Sequence, residues 1–427
     1  MSGVVFDSTQ PLSLQELTSD RLKDAGTVRF VNGLVLRQGR LTTDHLWIRG
    51  GTVIDPKVVF FHEKTCADLT IDCAGAIVAP GLIDIQINGG FGVDFSTVAK
   101  SGAEFTNGLE LVSRNLLQHG VTSFCPTLIS SKEHLYRQVL HLLKRRTVAQ
   151  GANILGAHIE GPFINVKKRG AHPHENIVSK MSPQSLVSMF GEKFTDNCAI
   201  VTLAPELEGA MESIEFLRRN GVSVSLGHST SSMTVGEEAV SRGATCITHL
   251  FNAMHGYHHR DPGLVGLLAS TNIPLGRPLY FGVISDGIHT HDSALRIAHR
   301  THPKGLILVS DAVSALGLSE GEHQLGDGVV SVSGHTATRS NGDLAGSVCP
   351  LDACVRHFAK AARCSVVEAL ECASLHPAQL LGLHTRKGTV EFGADADVVI
   401  LDSAQLGIVA TFVGGQLLYK APSLTNV

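Results

Sequence analysis

The chain has 427 residues, 43% hydrophobic and 17% charged, with a formal net charge of −4. That balance fits a globular protein with one large and one smaller domain, and gives no electrostatic case for nucleic acid or an anionic membrane as partner. Nine scattered cysteines without a Cys-x-x-Cys pair argue against a disulfide framework or a structural zinc module, and point to a reducing, cytoplasmic setting.

Residues 1–26 mix Asp, Ser, Gln, Glu and Lys, with neither the apolar core of a signal peptide nor the composition of a transit peptide. They read as a flexible or loosely docked extension. No window approaches the roughly 18 apolar residues of a membrane span. From Thr27 short strands follow, Val28–Leu36 and His45–Ile54, the second broken by a Gly50-Gly51 hairpin signal. The other end has the same texture: Gly388–Asp402 and Ile408–Tyr419, with a Gly414-Gly415 turn. One small β-sandwich built from residues 27–76 and 386–427 accounts for both ends, with residues 77–385 inserted between them.

Within the insert, eight strand-like runs can be read: Ile77–Ile87, Val121–Leu128, Asn153–Glu160, Ile200–Pro205, Val222–His228, Cys246–Phe251, Phe281–Ser285 and Leu306–Asp311. Amphipathic helical patterns such as Leu109–His119, Leu135–Lys144, Met211–Asn220 and Ser293–His299 fill most of the gaps. Near-continuous apolar strands alternating with helices predict an α/β fold with a parallel sheet covered on its outer face. Eight repeats predict a TIM-type (β/α)8 barrel, whose chemistry sits at the C-terminal ends of the strands. Beyond Asp311, Pro350–Ala361 and Val366–Leu383 read as helices leading back to the small domain.

Glu160 stands at the tip of a buried run, just before Gly161-Pro162 turns the chain out of the sheet. A buried carboxylate must be neutral, paired or on a metal, and alone it reads equally as the partner of an arginine or as a cap. His228 and His249 each close a further strand. One Glu and two His at the ends of three strands suit a divalent metal with an open position for water. Asp311 closes the eighth run; it could cap the next turn, or take a proton from the attacking water and return it to a leaving nitrogen. His172 and His289 fall on loops over the same mouth and could hydrogen-bond substrate hydroxyls or a polarised carbonyl. Arg260 suits bidentate recognition of phosphate or carboxylate, or a salt bridge with Asp261, and Asn252-Ala253 could offer an amide and backbone groups to the same ligand. Asp84, Asp94 and the Lys167-Lys168-Arg169 run read as structural or solvated. No Gly-x-Ser-x-Gly elbow, P-loop or dinucleotide fingerprint is present.

In family order, Ala79–Gly90, Pro126–Leu128, His158–Phe163, Arg169–His172, Leu203–Glu206 and Gly227–Ser229 resemble segments of the amidohydrolase superfamily. The match continues through Thr248–Met254, Arg260–Gly263, Asp286–His289, Ser310–Ala312, Leu344–Ser347 and Gly393–Asp397. The resemblance is to the members that deacetylate phosphorylated amino sugars. It implies removal of acetate from N-acetylglucosamine 6-phosphate by a homodimer. It further implies Glu160, His228 and His249 as metal ligands and Asp311 as acid/base. His172 and His289 would lie near the amide and sugar ring, with Asn252, Ala253 and Arg260 at the phosphate. Many superfamily members carry His-x-His on the first barrel strand, where this chain has Gln86-Ile87-Asn88. Carboxamides are poor ligands, so a single divalent ion is expected, zinc first, with iron or cobalt able to replace it. The rival expectations are a related amidohydrolase acting on another N-acyl sugar or a cyclic amide, and an inactive sugar-phosphate-binding barrel.

Overall fold

The computed structural model describes residues 10–97, 101–273, 276–325, 328–339 and 344–422. At its centre stand parallel strands Leu82–Ile87, Val121–Leu128, Ala157–Glu160, Cys198–Leu203, Ser223–Leu226, Cys246–Ile247, Tyr280–Ile284 and Leu306–Val309, each paired with the next. The eighth meets the first through a parallel bridge between Ile87 and Ala312. Two backbone bonds join it there, Asp311 N–H to the Gln86 carbonyl at 2.9 Å and Asn88 N–H to the Ala312 carbonyl at 2.7 Å. The barrel is thus nearly closed, and its last links lie at the rim where Asp311 leaves the sheet.

Helices Gly102–Asn115, Glu133–Val139, Pro183–Phe190, Ala210–Arg219, Met233–Arg242, Asp292–Thr301 and Leu351–Ala362 cover the outside. Serines start several of them: the side chains of Ser101, Ser182 and Ser232 accept first-turn backbone N–H groups, and Pro183 follows Ser182 at the first helical position. Their apolar stripes, including Leu109, Val112, Ile214, Leu217, Val240, Leu295 and Phe358, join the barrel strands in one core.

Two expected runs are divided. Ile77–Ile87 breaks at Gly81, because Ile77–Pro80 pairs with Val398–Leu401 and Leu34–Val35, and only Leu82–Ile87 enters the barrel. A Cβ at Gly81 would run into the Thr122 side chain, so the crossing between sheets needs glycine. Asn153–Glu160 breaks at Gly156, whose φ is +111°. Asn153–Ile154 pairs beside Ser123–Phe124 and Ala157–Glu160 forms the barrel strand.

The chain ends build two sheets. One runs Leu12–Ser13, Leu69–Asp72, Thr27–Val31, Leu46–Arg49, Thr52–Val53; the other runs Gln416–Lys420, Ile408–Val413, Val398–Leu401, Ile77–Pro80, Leu34–Arg37, Arg40–Thr42. Phe30, Ile48, Ile71, Val78, Val398, Ile400 and Phe412 form the core between them, with the rings of Phe30 and Phe412 edge to face at 5.3 Å. The alternate residues Ile77, Ala79, Val399 and Leu401 belong instead to the barrel's core. The second sheet is therefore buried on both faces, one against its partner sheet and one against the barrel. Across the latter contact the Thr411 hydroxyl donates to the Leu117 carbonyl at 2.8 Å.

Residues 12–26 are docked, where a loose extension is expected from sequence. Leu12–Ser13 pairs with Ile71–Asp72, and helix Ser19–Lys23, capped by Thr18, buries Leu22 beside Leu17. The leucines at 12, 17 and 22 recur every five residues, a spacing that matches neither strand nor helix. A second addition follows Asp311: antiparallel strands Gly321–Leu325, Gly328–Ser333, Thr336–Arg339 and Leu344–Ser347, where Val313 N–H bonds the Ser347 carbonyl at 3.0 Å. Among the described residues no helix is long and apolar enough to cross a membrane, and all nine cysteines are free.

Phe412→Ala should remove about 3–5 kcal/mol of stability through the cavity it opens. Phe61→Ala, at a side chain 75% exposed, should change stability by less than about 0.5 kcal/mol. Urea unfolding followed by circular dichroism checks both; equal effects would contradict the packing described.

Candidate active site

Glu160 ends the third barrel strand, and His228, His249 and Asp311 each lie two residues past the end of the fifth, sixth and eighth. These last three take φ values of +49°, +27° and +45°. A left-handed residue at a strand end breaks the outward-inward alternation and re-aims its side chain, at a cost of about 1–3 kcal/mol for a non-glycine. Such strain persists only where the surroundings over-determine it.

Oε1 of Glu160 lies 3.1 Å from Nε2 of His228 and 3.0 Å from Nε2 of His249, and those two ring nitrogens are 3.0 Å apart. All three residues are buried. Nδ1–H of His228 donates to the Lys168 carbonyl at 2.8 Å, which turns Nε2 toward Glu160. Burial opposes charge on Glu160, but hydrogen bonds from both histidines outweigh it and hold the carboxyl well below its usual range. Burial also opposes a charged His249, yet Glu160 and Asp311 prevail and raise it to about 9. Three acceptor atoms gathered in a dry site call for a shared positive charge. A proton on His249 supplies it, and so does a divalent ion held by the same three atoms.

Two carboxamides of the first strand tie Asp311 into this arrangement. Asn88 Nδ2 donates to Oδ1 of Asp311 at 2.8 Å. Gln86 Nε2 reaches the same oxygen at 3.3 Å and Oε1 of Glu160 at 3.0 Å. With a carboxylate on each side, only the NH2 end of Gln86 fits there. Burial, then the charge of Glu160, pushes Asp311 up to about 6, a range suited to both taking and giving a proton.

His172 is buried, with Nε2 4.0 Å from Oε2 of Glu160. Its Nδ1 accepts the Ser130 backbone N–H at 3.1 Å, so the ring proton sits on Nε2 and faces the site. Burial first, then His228, pushes His172 down to about 3. It is a neutral donor. His289 is half-buried; its Nδ1 lies 2.6 Å from Oδ2 of Asp286, whose other oxygen accepts the N–H groups of Ile288 and His289. Burial lowers the affinity of His289 for a proton, and Asp286 more than restores it.

Asn252 and Ala253 form the turn after His249. Asn252 N–H bonds the His249 carbonyl at 2.9 Å, and the Ala253 carbonyl accepts Ser229 N–H at 3.2 Å. Arg260 is exposed, its Nε 3.3 Å from a ring nitrogen of His259. It makes no ion pair with Asp261, whose carboxylate accepts the N–H groups of Met233 and Gly263. Glu160, His228, His249, Asp311, His172 and His289 thus share one mouth; Asn252 and Ala253 lie in the turn just after His249, and Arg260 is exposed. Sequence reasoning passes over the groups that orient them: Ser130, the Lys168 carbonyl, Asp286 and Glu206. Glu206 accepts from Asn165, Ser229 and Thr230 and so fixes the loop after His228. The neutral His172 gives a check by 15N NMR of the imidazoles. Its proton should remain on Nε2, with no imidazolium form above about pH 4.

The amidohydrolase family model matches residues 77–418. An N-acetylglucosamine-6-phosphate deacetylase of Bos taurus is 52% identical over 400 residues, covering 93% of this chain and 96% of that protein. The crystal structure of the Pasteurella multocida enzyme of that name has a TM-score of 0.80 at 27% identity, covering 92% of this chain and all of that one. A variant of the Mycobacterium smegmatis enzyme, in complex with N-acetyl-D-glucosamine-6-phosphate, has a TM-score of 0.78 at 27% identity, covering 93% of this chain and 100% of that chain. The chain belongs to the amidohydrolase family and, within it, to the N-acetylglucosamine-6-phosphate deacetylases.

Proposed function

We propose that the protein removes the acetyl group of N-acetyl-D-glucosamine 6-phosphate, giving D-glucosamine 6-phosphate and acetate, in the breakdown and recycling of amino sugars. The observation that carries this reading is Asp311, held beside the Glu160–His228–His249 cluster by the shared amide of Gln86. The likeness to deacetylases along nearly the whole chain supports the substrate.

Glu160, His228 and His249 would hold a divalent ion, which would supply Lewis acidity toward water and the acetyl carbonyl. One carboxylate and two imidazoles suit zinc, with iron or cobalt as the other candidates. One ion in the active site is the reading supported by Gln86, because its NH2 group presents donors, not lone pairs, where a second ion there would need ligands. Asp311 takes the proton of the attacking water. Asn88 and Gln86 fix its Oδ1, which leaves Oδ2 for that proton. As the C–N bond breaks, Asp311 passes the proton to the departing amine, and the water oxygen leaves in acetate. Nε2–H of His172 serves as a donor to the carbonyl oxygen as charge develops on it. His289, oriented by Asp286, meets the sugar, while Asn252, the Ala253 backbone and Arg260 hold the phosphate. The homodimer and the cytoplasmic location belong to the same reading. Free cysteines support the location, and an exposed loop with Tyr257 67% accessible beside Arg260 supports a second copy.

Acetate release should be rapid from N-acetylglucosamine 6-phosphate and slow from the unphosphorylated sugar. Asp311→Asn should lower kcat by about 10²–10⁴-fold while the protein still binds its metal. Metal-replete, folded protein that releases no acetate would refute the proposal. Arg260→Ala should raise KM for the phosphorylated sugar by about 10- to 100-fold, the worth of a charge-assisted hydrogen bond, and leave kcat nearly unchanged. An unaltered KM would remove Arg260 from the phosphate site.

A further inference from the structure

A second group of metal-binding side chains lies on the outside of the barrel. Sγ of Cys364, a ring nitrogen of His299 and a carboxylate oxygen of Glu368 all fall within 4.8 Å of one another. They come from fixed elements. His299 stands in the last turn of helix Asp292–Thr301, which starts near His289 at the mouth and runs away from it. Cys364 fills the tight connection between helices Leu351–Ala362 and Val366–Cys372, and Glu368 is in the first turn of the latter.

Two of these side chains have already lost much of their freedom. The His299 ring packs edge-on against Phe358 at 5.6 Å. Glu368 Oε2 accepts the backbone N–H of Ser365 at 2.8 Å and its hydroxyl at 2.7 Å, which leaves Oε1 toward His299. Oε1 and Nε2 are 3.6 Å apart, too far for a hydrogen bond. Tetrahedral zinc, with ligand bonds near 2.0–2.2 Å, sets its nitrogen and oxygen ligands about 3.4 Å apart. Cys364 and His299 are partly exposed and Glu368 is exposed, so an ion has access and water can complete its shell.

We infer that Cys364, His299 and Glu368 form a second divalent-metal site, for an ion of the zinc class, separate from the Glu160–His228–His249 centre. A thiolate with an imidazole selects borderline and soft ions over calcium or magnesium. The ion displaces the Cys364 thiol proton to solvent on binding. Bound there, it ties three helices of the outer layer together at the end remote from the mouth.

The site can be read apart from catalysis because the active-site cluster has no sulfur. Protein carrying its catalytic ion is equilibrated with a small excess of Co2+ and desalted. The ions per chain are then counted and the near-ultraviolet thiolate-to-cobalt charge-transfer band is recorded. One additional ion per chain and a charge-transfer band are expected. Cys364→Ser should abolish the band, and both Cys364→Ser and His299→Ala should weaken retention of the extra ion by about tenfold or more. Deacetylation by both variants should stay within about twofold of the parent, which reports that they are folded. Retention of only the catalytic ion, or a band that survives Cys364→Ser, overturns the assignment.

Discussion

Glu160 is a carboxylate taken almost wholly out of water, and the rest of the site exists to keep it charged. Desolvation alone would protonate it. Two imidazoles and the Gln86 amide prevent that; His228 is aimed by the Lys168 carbonyl and Gln86 by Asp311. The demand spreads into the barrel. His158, on the same strand, bonds the Ile85 carbonyl and the Thr202 hydroxyl at 2.8 Å each, and Thr202, Thr248 and Ser225 continue a buried chain of hydroxyls at 2.7 and 2.6 Å. These paired polar groups share the barrel strands with an apolar cluster that includes Ile83, Ile85, Ile200, Ile307 and Val309, distinct from the core that meets the helices.

The rim accepts strain to serve the same end. Three of the four strand-end residues hold left-handed backbone without being glycine. Regular strands would carry successive side chains to opposite faces and could not gather these groups over one point. The outer helices and the small domain provide the stability that such a rim draws on, through one contiguous core around the barrel and another between the end sheets.

Much of this was legible in the sequence because burial on both faces writes itself as uninterrupted apolar runs. The runs ending in Glu160, His228, His249 and Asp311 announce both a barrel and its reactive end. Gly81 defeats the same logic: it divides a continuous apolar run between two sheets, and only the close approach of Thr122 shows why. Leu12, Leu17 and Leu22 follow a spacing that fits no regular element. Within the site, residue types were readable and orientation was not. That Ser130 fixes the His172 proton, or that Lys168 acts through its carbonyl, depends on backbone atoms that no side-chain pattern encodes. Arg260 illustrates the opposite case, a residue type fit for anion recognition whose guanidinium is exposed and contacts its neighbour His259.

The doubly buried sheet constrains how the chain can be made. Its central pair joins Ile77–Pro80 to Val398–Leu401, so a strand already paired with Leu34–Val35 finds its second partner only when residues 398–401 have been made. The barrel strand Leu82–Ile87 follows directly from that waiting segment. Through most of synthesis, the apolar edge of Ile77–Pro80 and the barrel face it covers lack the sheet that shields them. Local helix–strand packing can proceed early, whereas closure is delayed to the end and is a slow, non-local event. Nascent chains of this protein therefore depend on being kept from one another until the C-terminal strands arrive.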